Sequence, residues 1–240
     1  MQWTDQGIVV DFRSFGESSL ILTLFTPDQG LVKGMARKAK GRKSANVYEV
    51  GAKVSATWKA RLKEHLGSFK IEVLKNPAAS FFHDYQRLSA LQSACALTAA
   101  CFPEDEAHET SYRDLENLIT LLCHSNWMEA YVRWEASLLT ELGFGFDLSC
   151  CAVTGSAEGL SHISPNTGRA VCLESAKPYM DRLLVLPPFL VDESAPSKQD
   201  IHDGLKLTGY FLERHVFLSH NKPVPKTRQR FLESLKRLRA

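Results

Sequence analysis

The chain has 240 residues, of which 44% are hydrophobic and 23% are charged, and its net charge is +2. These values are typical of a soluble globular protein with room for two modest domains. The sequence contains neither an apolar run that could span a membrane nor a signal peptide, so we expect a cytoplasmic protein with no membrane association and with reduced cysteines.

Charge is distributed along the chain in three blocks. Residues 1–80 contain 13 Lys and Arg against 7 Asp and Glu, whereas residues 81–142 contain 3 against 10. Residues 143–240 return to a basic balance of 13 against 10, and the excess lies in the last twenty residues. Blocks of opposite sign indicate surfaces that face different partners.

The first eighty residues predict a small β-barrel. Five short runs are β-branched or alternate between apolar and polar residues, as strands do, and a turn at 27–30 joins the second run to the third. The predicted strands are 7–13, 18–26, 31–35, 53–60 and 67–74. Five strands with a long connection after the third favour a closed or nearly closed barrel of the OB type, with Trp58 and Phe69 on the core side.

A basic segment follows the third predicted strand. Residues 33–43 contain six cations, two glycines and no acid, so they have almost nothing to bury. One interpretation is a solvated surface without a partner, and the other is a site for a polyanion such as nucleic acid. On the second interpretation the candidate nucleic-acid contacts are Lys33, Arg37, Lys38, Lys40, Arg42 and Lys43, with Lys53 and Lys59 beside them. Tyr48 is the only aromatic residue near the segment, so contact with phosphates is favoured over stacking on bases.

Beyond residues 76–77 the hydrophobic period becomes helical. Three helices are predicted: one around 88–101, one opened by a capping box at Ser111 and Asp114, and one over 127–142 that Gly143 terminates. A second capping box at Ser197 and Asp200 opens a later helix. Short connections between the first three helices favour a bundle.

The last predicted helix, 226–239, is basic, and Arg228 and Arg230 are further candidate nucleic-acid contacts. The same helix also fits an amphipathic element docked on the bundle, and the sequence leaves both interpretations open.

Residues 143–175 form a glycine-rich β module that contains Cys150, Cys151, His162 and Cys172. Structural zinc sites draw their ligands from cysteine pairs separated by two to four residues, and this module has no such pair. Adjacent Cys150 and Cys151 would also point to opposite faces of an extended strand. The sequence therefore favours buried thiols and a surface histidine over a metal site.

The third predicted helix carries one cation, Arg133, beside Tyr131 and Trp134. One interpretation is a surface arginine whose stem lies along the helix. The other is an anchor for a carboxylate of a partner peptide, with the two aromatic residues forming its pocket.

The sequence contains no phosphate-binding loop, nucleophile elbow, paired metal-binding histidines or dense carboxylate cluster. We therefore expect a protein that is not an enzyme and needs no cofactor, although a nuclease with an unfamiliar site stays an alternative.

Several stretches, in the same order along the chain, resemble the RecO family of bacterial recombination mediators. They are RSFGESSLIL at 13–22, LFT at 24–26, ARKAK at 36–40, RWE at 133–135, LGF at 142–144, CAVTG at 151–155, SPNTGRA at 164–170, and the run from Lys222 to Arg228. The resemblance covers nearly the whole chain.

The resemblance implies an N-terminal OB-fold and a helical C-terminal domain, which in some members carries a four-cysteine zinc module. It implies binding to single- and double-stranded DNA, annealing of complementary strands, and loading of RecA onto DNA covered by single-strand-binding protein (SSB). The implied partners are RecR, in some cases RecF, and the acidic C-terminal tail of SSB, for which Arg133 is the candidate contact. The cysteine pairs of the zinc-bearing members are missing here, so the module is expected to keep its shape without metal.

The predicted architecture is therefore α+β. An OB-fold nucleic-acid-binding domain over 1–76 precedes a helical domain over 77–240, into which the β module at about 143–175 is inserted. The alternative function is a scaffold that binds RNA with its barrel and a protein with its acidic helices.

Overall fold

The computed structural model describes residues 1–37, 48–62 and 65–236 of the chain. Its first five strands form a closed barrel in the order β1-β2-β3-β5-β4. They are β1 (Gln2–Phe15), β2 (Ser19–Thr26), β3 (Gly30–Arg37), β4 (Lys53–Lys59) and β5 (Gly67–Lys75). β3 pairs with β5 in parallel, and β4 returns to β1 in an antiparallel ladder. The order and the single crossover confirm the predicted OB-fold.

The barrel interior is filled by the residues that alternation assigned to it. Trp58 and Phe69 are 6% and 8% exposed, and Trp3 stacks on Trp58 with ring centroids 5.8 Å apart. β3 and β5 meet at a short parallel pairing, which we call the parallel seam, and Gly34 and Gly67 lie opposite each other there. A Cβ at Gly34 would lie 2.6 Å from the Phe69 ring, and one at Gly67 would lie 2.1 Å from Trp58. The seam can close over these large rings because glycine leaves room for them.

β1 is twice as long as predicted. It contains a bulge between Val9 and Asp11 and continues through Phe15, where a turn with Gly16 in the left-handed region leads into β2. The predicted strand stopped at Arg13, before Ser14, Phe15 and Gly16. That prediction was wrong, since pairing with β2 supplies ladder hydrogen bonds up to the Phe15–Ser19 pair.

Packing divides the chain into two compact units, Met1–Thr120 with Pro225–Ala240, and Leu121–Val224. In the first unit, α1 (Tyr85–Cys101) packs against β1, and α6 (Lys226–Lys236) packs against α1. The amide of Gln86 donates to the Ser234 carbonyl at 3.2 Å. The domain boundary after residue 76, which the change of period suggested, stays a prediction.

Helix α2 spans Glu109–Leu121, so Ser111 lies inside it rather than at its cap. The backbone N–H of Tyr112 already donates to the His108 carbonyl at 2.9 Å, which shows that the first turn begins earlier. The predicted capping box at Ser111 was wrong. The first residues of the helix are polar, so the apolar periodicity gave no sign that the helix begins before Ser111.

The second unit contains α3 (Trp127–Glu141), α4 (Leu173–Ala176) and α5 (Lys198–Phe211), with a sheet in the order β7-β6-β8. Its strands are β6 (Leu160–Ile163), β7 (Ala170–Cys172) and β8 (Leu184–Val185). Gly143 ends the α3 segment with φ of +83°, as predicted. The capping box at Ser197 and Asp200 is also confirmed, with each side chain bonded to the backbone N–H of the other residue.

In the described part of the chain, no helix is both long and apolar enough to cross a membrane.

Candidate nucleic-acid interface

Three neighbouring strands present an outward face of nine residues, which we call the hairpin face. The inward residues Leu22, Val32 and Ala36 belong to the barrel core, so the residues that alternate with them face outward. Cross-strand pairing arranges the outward residues in three rows, Asp11–Thr23–Lys33, Arg13–Ile21–Met35 and Phe15–Ser19–Arg37. A depression of about 220 Å³ on this face is lined by Asp11, Arg13, Ile21, Thr23 and Lys33, and Ile21 and Thr23 at its base are buried.

Charge on the hairpin face rises towards the tip of the β1–β2 hairpin. In the first row, Lys33 is opposed by Asp11 across the sheet and forms an ion pair with Glu104, with Nζ and Oε1 2.5 Å apart. Within the described residues, no carboxylate oxygen lies within 4.0 Å of Arg13 or Arg37 in the other two rows. Both arginines are exposed. The positive potential is therefore concentrated in the second and third rows.

The second row continues around the barrel onto β5 and β4. Met35 pairs with Ser68, and Ser68 pairs with Lys59, whose side chain is exposed. Lys70, two residues beyond Ser68, is exposed on the same strand. The second row thus links Arg13 to the candidate Lys59 across the parallel pairing of β3 and β5, which sequence spacing did not indicate.

The basic segment leaves β3 directly after Arg37. Lys38, Lys40, Arg42 and Lys43 lie outside the described residues, so their candidate roles stay predictions. The described chain resumes at Tyr48, which packs partly buried against the barrel core. Burial raises the pKa of Tyr48, in keeping with a ring that is turned to the interior.

Lys53 differs from Lys59, although both lie on β4. Its ammonium group forms an ion pair with Glu116 of α2, and its side chain is 31% exposed. The pairing cancels the charge of Lys53 locally. Lys53 should therefore contribute less than Lys59 to the binding of a polyanion.

The two candidate residues on α6 differ in their exposure to solvent. Arg228 is 5% exposed, whereas Arg230 is exposed. A buried guanidinium cannot reach a phosphate unless the helix moves, so we leave Arg228 out of the proposed interface. The helical period carries this distinction, because Arg228 lies three residues before the buried Phe231, on the same side of α6, and Arg230 does not.

Two residues of the hairpin face, Arg13 and Phe15, were not among the candidates. Phe15 is 52% exposed. The signal that would have found Phe15 is the alternation Asp11, Arg13, Phe15, which continues the period of two beyond the predicted end of the strand at Arg13.

The Arg133 cluster lies in the second unit. Arg133 Nε donates to Glu129 at 2.9 Å, one of its terminal nitrogens donates to the Asp192 carbonyl at 3.3 Å, and its guanidinium lies 5.4 Å from the centre of the Phe189 ring. The side chain remains 41% exposed. Tyr131 and Trp134 are 0% and 6% exposed, so they pack in the core and leave little surface for a peptide.

The β module brings two thiols and two hydroxyls together. Cys151 and Thr154 have the spacing of a zinc-binding cysteine pair, and so do Cys172 and Ser175, but each pair has a hydroxyl in second place. Cys172 Sγ lies 3.9 Å from Thr154 Oγ1 and donates to Ser175 Oγ at 3.4 Å. Among the described residues, no group of three or more His, Cys, Asp or Glu is arranged to hold a metal ion. Two thiols with two hydroxyls do not match the sulfur and nitrogen ligands of structural zinc.

Cys151 is the centre of this cluster. Its sulfur accepts from the backbone N–H groups of Val153 at 3.4 Å and Cys172 at 3.3 Å. The hydrogen bond from the Thr154 side chain, together with these backbone donors, lowers the pKa of Cys151 to about 6. Cys150 is half-buried. His162 is buried, and desolvation lowers its pKa, so the expectation of a surface histidine was wrong: the residue lies on β6, in the middle of the three-stranded sheet.

Comparison with known proteins identifies the family. The family descriptions "Recombination protein O N terminal" and "Recombination protein O C terminal" match residues 1–77 and 82–223. A DNA repair protein RecO from Rhodospirillum centenum is 43% identical over 235 residues, which cover 97% of this chain and 94% of the relative. RecO from Jannaschia sp. is 43% identical over 238 residues, covering 99% and 97%, and RecO from Rhodospirillum rubrum is 41% identical over 245 residues, with the same coverage. The chain therefore belongs to the RecO family of DNA repair proteins.

Proposed function

We propose that this chain is a non-catalytic recombination mediator. It binds single- and double-stranded DNA, anneals complementary strands and, together with RecR and in some settings RecF, helps to load RecA onto SSB-coated DNA. We also propose that it acts in the cytoplasm. The observation that carries the proposal is a pair of exposed arginines, Arg13 and Arg37, on an OB-fold face that leads into the basic segment. Neither has an acidic partner in the part of the chain that the structure describes.

The arrangement supports binding without base readout. Arg13, Arg37 and Lys59 follow the rows around the barrel, so a phosphate backbone can track across them. Cations spread along a convex strand surface supply electrostatic attraction, whereas sequence discrimination needs side chains aimed at base edges in a groove. A factor that anneals any pair of complementary strands requires this property.

A salt titration tests the proposal. We expect the affinity for fluorescent DNA to fall with salt, and a triple variant, Arg13→Ala with Arg37→Ala and Lys59→Ala, to flatten the log–log slope by about 0.9 per lost duplex contact. A matched triple variant in the second unit, Lys198→Ala with Lys206→Ala and Arg214→Ala, removes the same charge from exposed positions elsewhere. Equal effects of the two variants would contradict a localised interface.

Two further outcomes distinguish the alternatives. The mediator proposal predicts faster annealing of complementary strands coated with SSB. Tighter binding to structured RNA than to DNA, without annealing, would favour the RNA-binding scaffold. Magnesium-dependent cleavage of DNA that is lost on mutation of this chain would contradict a non-catalytic role.

We further propose that Arg133 receives a carboxylate of the acidic SSB tail. The support is its exposed guanidinium above an aromatic ring, a geometry suited to a carboxylate clamp. Glu129 occupies part of that guanidinium, so a tail carboxylate would have to compete with it. We expect Arg133→Ala to weaken binding of a tail peptide and Glu129→Gln to strengthen it. Full affinity in Arg133→Ala would exclude this residue.

The exposed Arg230 on α6 remains a proposed second DNA contact, to be tested by the same titration with Arg230→Ala.

A further inference from the structure

Phe15 is an exposed aromatic residue at the cationic end of the hairpin face. It is the last residue of β1, and its side chain is 52% exposed. It lies in the same row as Arg37, with Ser19 between them, and Arg13 precedes it by two residues on the same side of the strand. Because neighbouring strands are separated by about 4.8 Å, the Cα atoms of Phe15 and Arg37 are roughly 10 Å apart.

The fold does not explain this ring. Of the other aromatic residues in the barrel strands, Trp3, Trp58 and Phe69 contact one another and pack against the core, and Phe25 stacks on Phe102. Phe12 is 43% exposed, but it lies on the opposite side of β1 from Arg13 and Phe15. Within the described residues, no ring contact involves Phe15. A large apolar side chain that is half exposed, has no ring contact among the described residues and is flanked by two cations points to a partner with both a flat apolar surface and negative charge.

We propose that Phe15 stacks on an unpaired base of single-stranded DNA while Arg13 and Arg37 contact the adjacent phosphates. This inference rests on the proposed DNA-binding function. An unpaired base offers its π-face to an aromatic ring, and such stacking tolerates any sequence because every base has that face. The bases of a duplex are already stacked on one another, so the Phe15 ring gains no such contact there.

The consequence is that the hairpin face should bind single-stranded DNA more tightly than duplex DNA, although its cations can contact the phosphates of both. Phosphate contacts do not distinguish an unpaired strand from a paired one, whereas a stacked ring does. The Phe15 ring thus supplies selectivity for strand state, and the arginines supply affinity.

Phe15→Ala in the full-length protein tests the inference, with short oligothymidylate and a blunt duplex as the two probes. We expect single-strand affinity to fall by about 5- to 150-fold, the range for loss of one base–aromatic stack, and duplex affinity to change by less than about twofold. The salt slope should not change, because a phenyl ring releases no counterions. Phe15→Trp should retain single-strand affinity and Phe15→Leu should not, which separates stacking from general apolar contact.

Phe82→Ala is the matched control. Phe82 is 77% exposed in the first unit but lies before α1, outside the hairpin face. The Phe82→Ala substitution should leave the affinities for single-stranded and for duplex DNA unchanged. If the unaltered protein binds DNA but Phe15→Ala changes neither affinity, or weakens both equally, the inference is overturned while the proposed function stands. If the unaltered protein binds neither probe, both the inference and the proposed function are contradicted.

Discussion

Lys33 on β3 and Glu104, in the connection after α1, form an ion pair whose Nζ and Oε1 atoms lie 2.5 Å apart. Both side chains are about half exposed, so the pair adds little to stability. Its effect is on the surface potential, because it removes one of the six cations of the basic segment from the positive surface. Arg37, four residues later on the same face, has no such compensation within the described residues.

The first prediction compares these two cations. Arg37→Ala should flatten the salt dependence of single-strand binding by about 0.7 in the log–log slope, the contribution of one phosphate contact, and Lys33→Ala should change it much less. Fluorescence anisotropy at several salt concentrations measures both slopes. Glu104→Gln is the complementary control, since releasing Lys33 should raise affinity. A Lys33→Ala effect as large as that of Arg37→Ala would show that the ion pair does not limit Lys33.

The second prediction concerns the start of α5. Ser197 accepts from the backbone N–H of Asp200 at 3.2 Å, and Asp200 accepts from the backbone N–H of Ser197 at 2.8 Å. Ser197→Ala should lower the free energy of unfolding by about 1 kcal/mol, because one N–H of the first turn loses its partner. Ser197→Asn, which keeps an acceptor, should lose much less. Urea denaturation measures all three proteins, and equal stability of the alanine variant would argue against the capping box.

The third prediction concerns the hydroxyls of the β module. Replacing both, in Thr154→Cys with Ser175→Cys, would give two cysteine pairs with zinc-site spacing around Cys151 and Cys172. We expect the double variant to bind one Zn²⁺ per chain and to gain thermal stability when it does. Metal content after dialysis and cobalt absorption spectra measure the binding. Adding Cys151→Ser as a control should abolish it, and no metal uptake by the double variant would show that the four positions do not converge tetrahedrally.

The fourth prediction follows from the lowered pKa of Cys151. The pKa is about 6 in the folded chain against an ordinary value of 9.0, so between these values the unfolded state binds more protons than the folded state. Stability should therefore rise with pH across this interval and be lost as the pH falls towards 6. Measurements between pH 7 and pH 9 avoid the titration of His162, whose pKa is below 6.5. Cys151→Ser should flatten the pH dependence of the melting temperature, and an unchanged dependence would contradict a native thiolate.

The interior of the barrel was predictable from local pattern, and its charge pairing was not. Alternation along β4 and β5 is a property of neighbouring residues, so it assigned Trp58 and Phe69 to the core correctly. The partners of Lys33 and Lys53 are carboxylates more than sixty residues away, and nothing local to either lysine distinguishes Glu104 or Glu116 from other acids. The sequence therefore identified the cations but not which of them are neutralised by a carboxylate partner.

The same distinction explains the residues that were missed. Phe15 belongs to β1 because β2 pairs with it, although the apolar run that predicted the strand ends at Arg13. β8 has only two residues, which is too short to show any period, and exists because β6 offers it an edge. Arg228 was a different kind of miss, since its spacing of three residues from Phe231 already places it on the buried side of α6, away from Arg230.

The packing of α6 on α1 also sets an order for synthesis. At roughly 5–20 residues per second, the ribosome adds residue 236 about 7–27 s after residue 101. Until then, the side of α1 that α6 covers, including Ser89, whose hydroxyl lies 3.2 Å from that of Ser234, faces solvent or a chaperone. The barrel can close during this interval, but the unit that contains it stays incomplete until the chain has been made through α6.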